Sequence, residues 1–388
     1  MELLDVGRIV LGVILLVGGG ELLVRGAASL ATRAGLSSLV VGLTVVAAAT
    51  SAPELAVTVD AVLGGETGLA IGNVVGSNIV NILLILGISA LVAPLVVRRV
   101  LVRVDVPVLI GISVLTLVFA LDGRISRVEG VVLLALLLAH AVLAIVISRR
   151  STDSDDSDSD AGQSDEGAGK GAPAEKKGPG LLVSILLVAG GVGLLVLGAR
   201  VLVTGAVNIA SAMGVSGLVI GLTVVAIGTS LPELATSVIA TVRGERDMAV
   251  GNIVGSCIFN LGMVLGLPAL IAPGGEGLDI PAPAIALDIP LMIAASVALA
   301  PVVFTGYRVG RREGGLFIAL YLAYVGLLVL DATRHEALEG FTSVMVLLVL
   351  PLVVLSLVGA VGFDLGRRRE RRQAPQDPED DVDRAWRT

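Results

Sequence analysis

Residues 44–55 read TVVAAATSAPEL, and the reading of this stretch governs the rest of the chain. It lies inside an apolar run too long for a soluble helix, yet it carries Thr50, Ser51, Pro53 and Glu54 together. A carboxylate within a membrane span is costly and marks a functional position by default. Pro53 has no backbone N–H, so the carbonyl of Ala49 is predicted to lose its helical partner. Broken backbone of this kind survives in a bilayer only where protein buries it or where it lines a wet cavity. Thr50 and Glu54 are four apart, and Ser51 and Glu54 three apart, so the three oxygen-bearing side chains share one helix face. A freed carbonyl, two hydroxyls and a carboxylate are hard oxygen ligands. They suit Ca²⁺, Na⁺ or a proton rather than zinc or copper.

The stretch occurs twice. Residues 223–234 read TVVAIGTSLPEL, and adding 179 to each number of the first copy gives the second: Thr50 matches Thr229, Ser51 Ser230, Pro53 Pro232 and Glu54 Glu233. The same offset carries Asn73 to Asn252, Ser77 to Ser256, Asn81 to Asn260 and Gly87 to Gly266. From residue 35 to residue 87 about 30 of 53 positions are identical, which marks an internal repeat. A repeat kept for core packing would preserve apolarity; this one preserves polar atoms.

Composition agrees. Of 388 residues 55% are hydrophobic and only 3% aromatic, with a mean hydropathy of +0.95, as in polytopic membrane proteins. The single cysteine, Cys257, excludes an intrachain disulfide framework, and two histidines are too few for a histidine-based metal site. No cleavable signal pattern is visible, and the first apolar run is long enough to span. The net charge of −7 sits mostly in two polar segments.

The expected fold class is all-α. Apolar runs predict spans at 7–30, 37–62, 69–93, 100–121 and 127–148, and again at 181–208, 216–241, 248–272, 284–304 and 314–331. Two repeats of five helices follow, at 1–148 and 181–333. Between them 149–180 is acidic, rich in serine and glycine and without apolar periodicity, which predicts a disordered tether. A further run at 341–362, within 334–366, has no counterpart in the first half and reads as an eleventh helix before a charged tail at 367–388. Arginines gather in the loops after odd-numbered spans, so the positive-inside rule puts the N-terminus outside and the linker and C-terminus in the cytoplasm of a cell-membrane protein. Five is odd, so the second repeat enters from the opposite side. An inverted-topology repeat places its site near the midplane, between the halves.

The second and third helices of each repeat carry the polar signal. Glycines at 42, 72, 76 and 87, with their copies at 221, 251, 255 and 266, would let these helices approach closely. Ser77 and Asn81 share a face, as do Ser256 and Asn260, while Asn73 and Asn252 could bond the broken ends of neighbouring helices. Pseudo-symmetry would bring Glu54 and Glu233 together. Two adjacent carboxylates cannot both stay ionised without a cation. One divalent ion or several monovalent ones would neutralise them, which is the physical basis for exchange. Glu21, Arg25 and Arg200 read as helix-end or structural charges, and Asp105 and Asp288 as interfacial.

At these residues the chain resembles the cation/calcium exchanger superfamily, in its prokaryotic sodium/calcium exchanger branch. The hallmark G-T-S-x-P-E stands at 228–233, and at 49–54 with alanine for the glycine; G-N-x-x-G-S-x-x-x-N stands at 72–81 and 251–260. The resemblance implies alternating-access antiport of Ca²⁺ against Na⁺. It implies ligands at Thr50, Ser51, Glu54, Ser77 and Asn81, mirrored by Thr229, Ser230, Glu233, Ser256 and Asn260, with backbone carbonyls at Ala47 and Ala226 completing outer sodium positions. It further implies that the first and sixth helices slide against the remaining core. Sodium-coupled members often place an aspartate where this chain has Asn260, while related cation/proton exchangers use two glutamates with asparagines beside them. Ca²⁺/H⁺ exchange is therefore the second reading, and T-S-x-P-E keeps sodium ahead.

A passive cation channel could use the same carboxylates, but an inverted repeat argues against it. An intramembrane enzyme would need a Ser/His or Asp/Asp pairing that the chain lacks. The expected partners are the lipid bilayer and inorganic cations, with no cofactor and no nucleic acid; the oligomeric state stays open.

Overall fold

In the computed structural model the described residues are 3–159, 180–214, 226–275, 277–304, 307–333 and 358. The expected eleventh helix, the charged tail and residues 160–179 of the tether lie outside them, apart from residue 358. The first half comprises α1 (Leu3–Ala34), α2 (Ser38–Thr50), α3 (Ala52–Leu63), α4 (Thr67–Val92), α5 (Leu101–Ala120) and α6 (Arg127–Ser159). The second half runs in the same order: α7 (Leu181–Ala212), α8 (Ala226–Thr229), α9 (Leu231–Val242), α10 (Arg246–Ile271), α11 (Ile289–Phe304) and α12 (Arg311–Ala332). Seven helices among the described residues are long and apolar enough to cross a membrane, and the bent pair α2–α3 makes up to eight. The protein is an all-α polytopic membrane protein. Its only strands among the described residues are two-residue pairs that clip the halves together, Leu95 against Val309 and Arg124 against Asp279.

Helix α6 continues past residue 149, where the composition predicts a tether, and reaches Ser159. A helix already nucleated by an apolar span adds one hydrogen bond per further residue, so it runs on into polar sequence that would not start a helix alone.

Helices α4 and α10 form the centre: 78% of each spanning window is buried, against 28% for α1 and 22% for α7. The outer faces of α1, α6 and α7 carry exposed apolar side chains such as Leu11, Ile14, Leu138, Val142 and Leu186, as suits lipid contact. Their inner seam has a feature that the sequence reading missed. Gly12, Gly19 and Gly26 recur every seven residues on α1, and Gly191, Gly198 and Gly205 do the same on α7. A Cβ at Gly19 would stand 2.8 Å from the carbonyl oxygen of Gly191, and one at Gly198 would stand 2.9 Å from that of Gly12. The paired numbers fall on one helix as they rise on the other, so α1 and α7 run antiparallel, as corresponding helices of an inverted repeat must. Ser29 and Ser184 share a 2.8 Å hydrogen bond at one end of the seam, and Asn208 donates to Asp5 at 2.9 Å at the other.

The repeat glycines divide into two groups. Gly42 packs on Met248, Gly251 on Leu39 and Gly255 on Leu43, with backbone oxygens 2.5–2.6 Å from where a Cβ would lie, so α2 rests directly on α10. Gly72 and Gly76 meet nothing within 4 Å among the described residues. Gly221 lies outside them.

Among the described residues five π turns widen the helices, at Gly42–Val46, Val80–Ile85, Leu101–Asp105, Asn260–Leu265 and Ala284–Asp288. Such turns cluster at functional sites because they loosen the regular hydrogen-bond ladder. Asn81 and Asn260 both lie in one.

Asp105, expected near the membrane interface, has a partner inside the protein. It is 1% exposed and shares a 2.8 Å hydrogen bond with buried His140 on α6. The π turn Leu101–Asp105 inserts an extra residue and so re-aims the side chains around it, and His140 supplies a partner that makes burial tolerable. Glu21 does form a pair with Arg25, at 2.6 Å, and also bonds Arg243, which ties α1 to the end of α9.

Candidate functional site

The site grows from two breaks. Ser51 leaves helical geometry at φ −83°, ψ 6°, and α2 and α3 meet there at 43°. Ser230 repeats this at φ −90°, ψ 10° before α9. Pro53 and Pro232 follow in the first turn of the new helix, where a missing N–H costs nothing. Each glutamate thus stands in the first turn of a half-helix, where the backbone N–H groups carry partial positive charge.

Each serine reaches across to the other half. Ser51 donates to Glu233 at 3.1 Å, and Ser230 donates to Glu54 at 3.4 Å. Glu54 is 1% exposed and Glu233 fully buried.

Helices α4 and α10 brace the breaks with matched asparagines. Asn73 donates to Thr58 at 2.9 Å and to the Glu54 carbonyl at 3.2 Å. Asn252 donates to Ser237 at 2.9 Å and accepts from Thr50 at 3.2 Å. Thr58 and Ser237 stand at the same 179 offset, so the repeat alone could have revealed this brace.

Of the residues that the sequence nominates, Thr50, Ser51, Glu54, Ser77, Asn81, Ser230, Glu233, Ser256 and Asn260 are all buried. Thr50 and Ser256 share a 3.4 Å hydrogen bond. Thr229 is half-buried and holds partners of its own. The Ala47 carbonyl accepts from the Ser51 N–H at 3.0 Å and from the Thr50 hydroxyl at 3.4 Å. The second half differs, because the Ser230 N–H donates to Ile227 at 3.1 Å. Ala226 begins the short helix α8.

Of nine buried side-chain polar atoms without a hydrogen-bond partner among the described residues, six lie on these same residues: one carboxylate oxygen each of Glu54 and Glu233, the Ser77 hydroxyl, both amide atoms of Asn81 and the carbonyl oxygen of Asn260; the others are on Ser89, Asp105 and Thr236. Proteins rarely leave such atoms unpaired, since each forfeits its hydration without recompense. Nearly all of the six are oxygens, two of them from carboxyl groups, and oxygens of these kinds are what a hard cation such as Ca²⁺ or Na⁺ takes.

Comparison with known proteins agrees with this chemistry. The family described as "Sodium/calcium exchanger protein" matches residues 4–146 and 183–330. The putative antiporter CaxA of Alkalimonas amylolytica is 37% identical over 326 residues, covering 82% of this chain and 97% of that protein. The sodium/calcium exchanger MaX1 of Methanosarcina acetivorans is 32% identical over 340 residues, covering 82% and 96% respectively. Among solved structures, the sodium-calcium exchanger NCX_Mj superposes with a TM-score of 0.69 at 32% identity, covering 84% of this chain and 99% of that one.

Proposed function

Because the chain belongs to the sodium/calcium exchanger family, a family of membrane cation exchangers, we propose that it is a secondary-active antiporter that carries Ca²⁺ against Na⁺ by alternating access. One observation carries the reading: two buried glutamates, one from each half, each bonded by the other half's serine and each with one carboxylate oxygen unpaired. A two-charge oxygen site is neutralised by one divalent cation or by competing monovalent ones, so the same atoms serve both ions in turn.

In this reading Glu54 and Glu233 supply the charge. Thr50, Ser51, Ser77 and Asn81, with Thr229, Ser230, Ser256 and Asn260, supply neutral oxygens, and the Ala47 and Ala226 carbonyls complete the outer sodium positions. Two five-helix repeats of opposite topology surround the site. The glycine seam supports motion of α1 and α7 as one body, because backbones packed this closely cannot shear past each other without clashing. The arginine distribution supports a cell-membrane protein with its N-terminus outside and its linker and C-terminus in the cytoplasm.

Asn260 favours a second reading, exchange of Ca²⁺ for H⁺, because a site with two formal charges suits several Na⁺ at once less well than one with three. Purified protein in liposomes, given ⁴⁵Ca²⁺ with an imposed Na⁺ gradient or separately with an imposed pH gradient, separates the two. The Na⁺ gradient is expected to drive uptake. Uptake driven by the pH gradient alone would replace Na⁺ with H⁺ as the coupling ion, and flux without any counter-ion would point to a channel.

A further inference from the structure

An asparagine differs from an aspartate at a cation site in one respect beyond charge: it has a wrong way round. Its amide presents an oxygen in one orientation and an NH₂ group, which repels a cation, in the other. Asn260, a candidate ligand, is fully buried and must be held the right way.

The structure contains a device for this. Met292 on α11 is fully buried, and its thioether sulfur can only accept a hydrogen bond. Asn78 on α4, 1% exposed, donates its NH₂ group to that sulfur at 3.3 Å. The Asn78 carbonyl oxygen therefore faces the other way, and it accepts from the NH₂ group of Asn260 at 3.4 Å. With its donor committed, Asn260 leaves its own carbonyl oxygen unpaired in the buried site. The direction of both amides is thus fixed by an atom that has no hydrogen to give. The first half is held differently: the residue matching Asn78 is Cys257, whose thiol lies beside Asn81 and donates to the Asn78 backbone carbonyl at 3.9 Å, so a weakly bonding sulfur stands where the second half has an anchored amide.

We propose that Asn78, oriented by Met292, is a positioning residue that fixes the Asn260 amide with its oxygen toward the transported cation. This rests on the exchanger reading above. It adds that a neutral asparagine works at this position only because its amide is held in one orientation, so the selectivity of the site for hard cations depends on two residues that do not themselves ligate. The asymmetry between the halves then lies at the Asn78/Cys257 pair, in how the two candidate asparagine ligands are held.

The test is a double-mutant cycle read by ⁴⁵Ca²⁺ uptake into proteoliposomes and by Ca²⁺ titration of the purified protein. Asn78→Leu removes the acceptor for Asn260 while keeping the branching of the side chain. In the native background it is expected to raise the KM and Kd for Ca²⁺ about tenfold, the usual effect of losing an outer partner of a metal ligand, with the maximal rate within about twofold. In an Asn260→Asp background the same substitution is expected to change Ca²⁺ affinity less than about twofold, because a carboxylate presents oxygen whichever way it turns. Met292→Leu keeps the packing and removes the polarity-setting acceptor. It should weaken Ca²⁺ binding only while residue 260 is asparagine, and it stands in for Asn78→Leu should that variant fail to fold. Equal effects in both backgrounds, or none in the native one, would overturn the orienting role and leave the exchanger reading intact. Native protein that neither binds nor carries Ca²⁺ would overturn both.

Discussion

Ser51 bonds Glu233, 182 residues away, rather than Glu54, three residues away on its own face. Ser230 returns the arrangement to Glu54. The halves are therefore joined at the site by two crossed hydrogen bonds, and neither half can assemble its carboxylate environment alone. A break at one proline is felt at the glutamate of the other half.

Replacing either Glu54 or Glu233 by glutamine should reduce Ca²⁺ exchange to background while the protein still folds. The amide keeps the shape and can still accept from the facing serine, but it halves the charge that holds the ion. Ca²⁺ at about a hundred times its Kd should stabilise the native protein by about 2.7 kcal/mol, and this stabilisation should vanish in both variants. Thermal denaturation in detergent, with and without Ca²⁺, measures it. A variant that keeps its Ca²⁺-dependent shift would remove that glutamate from the site.

The two asparagine braces should not be equivalent. Asn252 is 1% exposed and holds both Thr50 and Ser237, whereas Asn73 is half-buried and serves only the first half. Asn252→Leu should destabilise the protein by about 1–3 kcal/mol, through the bonds to Thr50 and Ser237 that it removes in a buried site, and Asn73→Leu by less. Chemical denaturation of the purified variants compares them. An equal cost would mean that burial does not set the strength of the brace.

On the α1–α7 seam, Gly19→Val drives a side chain into the backbone of α7, where a Cβ already stands 2.8 Å from the Gly191 oxygen. Overpacking of this kind costs about 1–3 kcal/mol. Gly18, its chain neighbour, meets nothing within 4 Å, so Gly18→Val should stay within about 0.5 kcal/mol. Melting temperatures of the pair test whether the seven-residue spacing, rather than glycine content, makes the seam.

His140→Ala would strand the buried carboxyl of Asp105, one of whose oxygens already lacks a partner. A loss of about 1–3 kcal/mol is expected. His140→Gln, which can still donate to Asp105, should recover most of it. If alanine and glutamine melt together, the hydrogen bond contributes nothing to stability and the pair is held by packing alone.

Much of this was legible in the chain because the repeat preserves chemistry at a fixed offset. The helical breaks at Ser51 and Ser230 follow from proline beside hydroxyls, and the burial of the glutamates follows from their place in apolar runs. The partner of Asp105 is not legible in the chain, because nothing in its neighbourhood announces a histidine 35 residues on. The glycine seam was overlooked because its spacing of seven is spread over two helices whose pairing is visible only when they are packed.

What the sequence determined by itself is which atoms are present: a doubled set of hard oxygen groups, placed by local rules of helix breaking that act within a few residues. What only the tertiary structure decided is who faces whom. Ser51 turns to the far glutamate, Asn78 mediates between a sulfur and an amide, and α1 lies in the grooves of α7. Those choices depend on contacts between residues more than a hundred positions apart, and side-chain polarity in a dry interior is satisfied by whatever lies nearest in space, not by what lies nearest along the chain.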